Sequence, residues 1–294
     1  MPMDTITGQL DDVRRQADDQ TLADSDFFWR ERDGIKVLVC RRLEDAGFAN
    51  GFSTRLGGVS SLNGDGPGAE LNLSGFNEDT AENIHENRRR FLSVFERPHQ
   101  LATAWQVHGA EVKVVRTEGD IAESDDKFDA LISDLSDILV GVKTADCVPI
   151  LIGDPKTGAF AAVHAGWRGT AQGIVQKAIT KLHEVYGSRA DDLISAIGPA
   201  AGCDRYEVGQ DVIDLFTANF PEGSKYFVNT RTEHALVDLK WANKDQLIGS
   251  GVSAEKIFIS SLCTMTRSDL FFSYRIEKKK FGRTGRLLSV IGRM

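Results

Sequence analysis

An α+β fold built around mixed sheets, in a single domain, is what this sequence predicts. Three observations carry that expectation. Short apolar runs of strand length, bounded by Gly, Pro, Asn and Asp, recur along the chain. Amphipathic segments of helical period interrupt them, but without the strand–helix–strand rhythm of a parallel sheet. At 294 residues, with 41% hydrophobic and 27% charged side chains, the chain has the composition of a globular domain with a sizeable core.

The opening "MPMDTITGQLDDVRRQADDQTLADSD" is acidic and polar and lacks the apolar centre of a signal peptide. Residues 1–28 are therefore expected to be a tail or a loosely attached helix, and residues 29–294 the functional domain. Ser53 to Asn77 is dense in Gly, Ser and Asn and long for a connection, the mark of a binding loop or lid. "NEDTAENIHENRRRFLSVF" reads as a helix with Ile84, Phe91, Leu92 and Phe95 facing inward, and "EVKVVR" alternates as a strand. "ILVGV" and "VPILIGD" are apolar strands on either side of "KTADC", and "PKTG" turns the chain into the strand "AFAAVHA". The next helix is expected to start on a Thr170 cap and end at Gly187, burying Ile174, Ala178, Ile179, Leu182 and Val185. "DLISAIGPA" reads as a strand and "QDVIDLFTANF" as a helix. "KIFISSL", "LFFSYR" and "LLSVIG" read as late strands, and "SYRIEKKKFGRTGR" as an exposed basic hairpin.

Charge and cysteine usage narrow the function. A net charge of −8 and a pI near 5.3 argue against a nucleic-acid binder with a broad basic footprint. No run of about 18 apolar residues occurs, so no membrane span is expected. Cys40, Cys147, Cys203 and Cys263 are scattered and form no close pairs, which suits a reduced, cytoplasmic setting.

The corner "AFAAVHAGWRGTAQG" holds more chemistry than a turn needs. Gly166 and Gly169 let backbone N–H groups approach a ligand at a helix start. Arg168 can hold a phosphate or carboxylate bidentately. Trp167 can stack on a base or fill the core. His108, Cys147 and His164 each lie beside a strand-like run, 39 and 17 residues apart. Two imidazoles and a thiolate make a zinc set gathered from three elements of a rigid fold, with a fourth position left for water. The same residues can equally serve as a cysteine nucleophile and its base. Arg55, on the glycine-rich loop, is a second cation.

Taken together, "GFSTRLGGVS…LNLS", "ENRRRFL", "QVHGAEV", "KTADCVPILI", "AVHAGWRGTAQGIV", "IGPAAGCDRYEVG", "LCT" and "FFSYR…TGR" resemble one family from Phe52 to Ile291. It is the purine nucleoside phosphorylase family, also called YfiH-like and long labelled a multicopper polyphenol oxidase or laccase domain. The resemblance implies a layered α/β/β/α fold and zinc held by His108, Cys147 and His164. It also implies phosphorolysis of adenosine, inosine and methylthioadenosine, with adenosine deamination as a further activity. Some members are linked to editing of peptidoglycan precursors. Arg205, before "YEV", and Ile276, in "SYRI", depart from the family pattern at the substrate rim.

A zinc-dependent purine nucleoside phosphorylase with adenosine deaminase activity is the function expected, and its partners are small molecules: a purine nucleoside and phosphate. Asp146, beside Cys147, is the candidate general acid–base group, with a turn residue as the alternative. Arg55 and Arg168 are expected to hold phosphate, and Asn72 to bond the sugar or base. The competing readings are a cysteine hydrolase acting on an amide, a non-catalytic zinc-stabilised binding module, and a polyphenol oxidase with copper in the zinc site. Copper(II) outcompetes zinc on affinity, and Met265 could serve it as a distant axial ligand. Six histidines, two of them on expected helices (His85 and His183), are too few for a four-copper assembly.

Overall fold

The computed structural model describes residues 21–62, 70–75, 78–121 and 126–294. In chain order its strands are β1 (Phe27–Arg32), β2 (Ile35–Cys40), β3 (Phe48–Ser53), β4 (Leu56–Ser60), β5 (Gln100–Ala102), β6 (Val112–Val114), β7 (Ala130–Ser133) and β8 (Ile138–Thr144). They continue as β9 (Val148–Gly153), β10 (Phe160–Ala165), β11 (Ile194–Ile197), β12 (Glu207–Gly209), β13 (Phe227–Arg231), β14 (His234–Val237), β15 (Ile257–Ile259) and β16 (Leu287–Arg293). The α-helices used below are α1 (Arg41–Asp45), α2 (Ala81–Leu92), α3 (Trp167–Ala171), α4 (Ile174–Tyr186), α5 (Gln210–Asn219), α6 (Leu239–Gly249) and α7 (Tyr274–Phe281).

Two six-stranded sheets form the centre, in the orders β1-β2-β3-β16-β8-β5 and β15-β11-β9-β10-β7-β6, with β12-β14-β13 as a small third sheet. The two large sheets are mixed: β5 runs parallel to β8, β6 to β7 and β11 to β15, among antiparallel neighbours. Side chains of alternate residues point to opposite faces of a strand, and β16 uses both faces. Leu287 and Ile291 enter the core between the sheets, while Leu288 and Val290 pack outward against Phe91, Val94 and Phe95 in and after α2. Across the second sheet, Leu151, Phe160 and Ala162 face inward, and Ile150, Ile152, Ala161 and Val163 meet Ile174, Val175, Ala178 and Leu182 of α4. The outcome is helix, sheet, sheet, helix, and the α+β class holds.

Two glycines let the sheets close. A methyl group on Gly198 would lie 2.2 Å from the Phe52 ring, and one on Gly153 would lie 2.6 Å from Phe48. Each glycine is a socket for a phenyl ring from the facing sheet.

Several expectations change. β1 begins at Phe27, and both Phe27 and Leu22 are buried, so the core reaches into the segment expected to be a tail. Residues 1–20 lie outside the described residues, as do 63–69 and 76–77 of the glycine-rich loop. The single helix expected over 170–187 is two, α3 and α4, separated at Gly173, whose φ of 73° is left-handed; Gly187 does end α4. "LFFSYR" and the basic hairpin are not strands. Ser273 caps α7 by accepting from the Ile276 amide, and left-handed Gly282 ends it. With Phe271 and Phe272 buried before the cap, the lysine-rich turn after it stands at the surface as a helix. No helix among the described residues is long and apolar enough to cross a membrane.

Filling a socket should separate the sheets. Gly198→Ala is expected to cost about 1–3 kcal/mol through overpacking, read as a lower urea midpoint at unchanged slope. An unaltered midpoint would show that Phe52 yields freely.

Candidate metal centre

Two segments pass from the first sheet to the second, and each carries a candidate ligand. His108 lies between β5 and β6, and Cys147 lies between β8 and β9. His164 comes from β10 itself, one residue before the strand ends. Their ligand atoms all lie within 4.8 Å of one another, and the imidazole rings of His108 and His164 stand edge-to-face with centroids 4.9 Å apart. Gly166 forms a wall of this cluster: a methyl group there would meet the His108 ring at 2.9 Å and the Cys147 sulfur at 3.1 Å. Exposure rises from His164 at 3% through half-buried Cys147 to exposed His108.

Burial alone would raise the Cys147 thiol, but the His164 charge and hydrogen bonds from both histidines outweigh it and bring it to about 6. Burial alone would depress His164, yet the Cys147 charge and the Asp129 hydrogen bond lift it to about 9. The two histidines thus favour the Cys147 thiolate, the form that ligates metals. Two imidazoles and a thiolate at mutual ligand distance fit a borderline-soft divalent ion such as zinc.

Both crossing turns contain a non-glycine residue in left-handed backbone, His108 at φ 60° and Asp146 at φ 85°. Such a residue costs roughly 1–3 kcal/mol, and in each case a carboxylate offsets it. Asp129, fully buried, accepts from the amides of His108 at 3.0 Å, Gly109 at 2.7 Å and Val107 at 3.3 Å, and stands 2.7 Å from His164 Nδ1. Hydrogen bonds to a charged group contribute about 1.5–3 kcal/mol each, which exceeds the backbone cost. Burial works against the Asp129 carboxylate, but His164 and the loop amides hold it below the usual carboxylate range. Asp146 accepts from Thr264 Oγ1 at 2.7 Å, Ser273 Oγ at 3.0 Å and the Arg275 amide at 2.7 Å. Both its oxygens are engaged in fixing the turn before Cys147.

The other expected site residues divide. Arg55 is buried and donates to Glu277, Glu70 and the carbonyls of Ser268 and Phe271. Asn72, also buried, donates to Asp79 and accepts from the Arg286 amide. These two tie the glycine-rich loop to α7 and β16. Trp167 and Arg168 stay beside the ligand cluster, the exposed guanidinium of Arg168 stacking 4.0 Å above the indole.

Trp167 also lines a cavity of about 340 Å³ together with Tyr206, Glu207, Arg231, His234 and Arg275. Trp167 follows Gly166, the wall of the cluster, and so links the two; the Tyr206 hydroxyl is pushed up to about 12 by burial and by the charge of Cys147. Arg275 stacks 4.8 Å from the Tyr206 ring and donates to the Glu207 carbonyl. Asp129, Tyr206 and Arg275 were not singled out in the sequence. Their signals were an acidic residue directly before the apolar strand "ALIS", and the family-like strings "DRYEVG" and "SYR".

A sequence profile of the family described as multi-copper polyphenol oxidoreductase laccase matches residues 49–294. Purine nucleoside phosphorylase YlmD of Geobacillus stearothermophilus is 35% identical over 276 residues, covering 91% of this chain and 97% of that protein. An adenosine deaminase from an unknown prokaryotic organism is 36% identical over 186 residues, covering 61% of this chain and 71% of that protein. The crystal structure of Bacillus licheniformis YfiH superposes with a TM-score of 0.81 at 28% identity, covering 91% of this chain and 99% of that one. With His108, Cys147 and His164 gathered at one point between its sheets, this chain belongs to the laccase-type, YfiH-like family whose similar members carry the name purine nucleoside phosphorylase.

Proposed function

We propose that this protein is a zinc-dependent purine nucleoside phosphorylase acting on adenosine, inosine and methylthioadenosine, with adenosine deaminase activity at the same centre. The observation that carries the reading is the His108–Cys147–His164 cluster, walled by Gly166 whose neighbour Trp167 lines an aromatic cavity, in a chain similar to enzymes of both names. His108, Cys147 and His164 would hold the zinc. Bound there, zinc supplies a Lewis acid and lowers the pKa of water at its open position.

In phosphorolysis, a phosphate oxygen attacks the anomeric carbon as the glycosidic bond breaks, and the departing purine takes up a proton. Trp167 and Tyr206 present aromatic walls for the nucleoside, with Arg275 lining the same cavity, and Arg168, stacked on the Trp167 indole, is the second candidate bidentate donor for phosphate. Asp146 serves in this scheme by holding the Cys147 turn, and Arg55 and Asn72 by holding the rim.

A second reading has a specific observation in its favour. Cys147, His164 and Asp129 stand in the order of a nucleophile, its base and the group that orients the base. That set suits a cysteine hydrolase cleaving an amide, such as one in a peptidoglycan precursor.

Metal analysis separates the two. Protein purified without added metal is expected to carry about one zinc per chain and to release adenine from adenosine only with phosphate. Cys147→Ala should lose more than the roughly 10–100-fold that removal of a supporting partner costs. A metal-free protein inert toward nucleosides, yet alkylated at Cys147 with loss of amidase activity, would instead establish the hydrolase.

Arg168→Gln removes one charged donor, about 1.5–3 kcal/mol. It is expected to raise KM for phosphate roughly tenfold or more while leaving phosphate-independent inosine formation unchanged. Equal losses in both reactions would remove Arg168 from the phosphate site.

A further inference from the structure

We propose that Asp129 is the positioning residue of the metal centre: one buried carboxylate that aligns both histidines and makes Nε2 of His164 the ligating atom. The inference rests on the reading of the cluster as a divalent-metal site. Asp129 Oδ1 lies 2.7 Å from His164 Nδ1. An ionised carboxylate can only accept, so Nδ1 must carry the hydrogen. The remaining ring nitrogen, Nε2, faces Cys147 and His108 and is the one whose proton a metal ion would displace to gain a lone pair.

The second arm is held by the same group. Oδ1 also accepts from the His108 amide at 3.0 Å, and Oδ2 accepts from the Gly109 amide at 2.7 Å. The His108 loop hangs from this carboxylate in a backbone conformation it would otherwise leave. The main chain of Asp129 completes the clasp, its carbonyl accepting from the His164 amide at 2.7 Å. The separation of the two imidazoles is therefore set through one side chain with no solvent exposure. An asparagine keeps the shape but turns an N–H₂ group toward donors. It also removes the charge that selects the tautomer, because its amide can donate to Nδ1 as well as accept from it.

Zinc affinity of the full-length protein, measured by competition with a chromophoric chelator, tests this for the parent and Asp129→Asn. The variant is expected to bind roughly 10–100-fold more weakly, the cost of losing an orienting partner, at an unchanged far-ultraviolet circular dichroism spectrum. Affinity within twofold of the parent would overturn the proposal. Should the variant not fold, the parent decides the matter. Long-range ¹H–¹⁵N spectra of its zinc-loaded form are expected to show His164 protonated at Nδ1, and protonation at Nε2 would overturn the assignment. A parent that takes up no zinc would remove the metal reading itself, whereas zinc uptake without nucleoside cleavage would leave Asp129 in place and remove only the proposed reaction.

Discussion

The close face-to-face packing of the two large sheets is the constraint on which the rest depends. Phe48 and Phe52 from β3 seat against the bare backbone of Gly153 and Gly198 in the facing sheet. Sheets joined in this way need chain segments that cross between them, and crossing segments must turn sharply over the end of the core. His108 and Cys147 occupy two such crossings. The candidate metal centre sits where the sandwich is sewn together, and its third member, His164, comes from the sandwich itself. A site built at that place inherits the rigidity of a close-packed interior.

Rigidity of the sheets does not by itself place two turns to within a fraction of an ångström. Buried carboxylates do that. Asp129 serves the His108 turn and Asp146 the Cys147 turn, each satisfying donors that would otherwise be left unpaired. Burying a charge costs several kcal/mol unless hydrogen bonds compensate; for Asp129 the compensating donors are amides of the loop that must be held, and for Asp146, which lies in its own turn, they come from Thr264, Ser273 and Arg275. The arrangement explains why Asp146, adjacent to a ligand, has both oxygens directed away toward Thr264, Ser273 and Arg275. It also separates Arg55, whose guanidinium is enclosed by Glu70 and Glu277, from Arg168, which lies open above Trp167.

Much of this was legible in the sequence, for identifiable reasons. Strands β8, β9, β10 and β16 are long apolar runs, and α4 has a clean helical period ending at Gly187, so local pattern and final fold agree. The ligands announced themselves because His and Cys beside glycine at strand ends are conspicuous. Three features were hidden. β1 and β3 carry mixed polar and apolar side chains, β1 as an edge strand and β3 with Asn and Gly between its phenylalanines, and the apolar β2 lies between them. The segment from Leu270 looked like a strand because Phe271 and Phe272 are buried, and only the Ser273 cap and the following lysines reveal α7. Asp129 shows in the sequence only as an acid before the strand "ALIS", because its partners, His164 and the 107–109 amides, are distant along the chain. Residues that bind ligands can be read from their type, whereas residues that bind other residues require the fold.

The gradient of exposure across the ligands, from His164 inside β10 to His108 on an outer turn, has a kinetic meaning. An ion bound by the three would be reached from solvent on the His108 side, with the interior pair behind it. A cluster with one solvent-facing arm and one sheet-borne arm would be open to an ion without any opening of the sandwich that holds it.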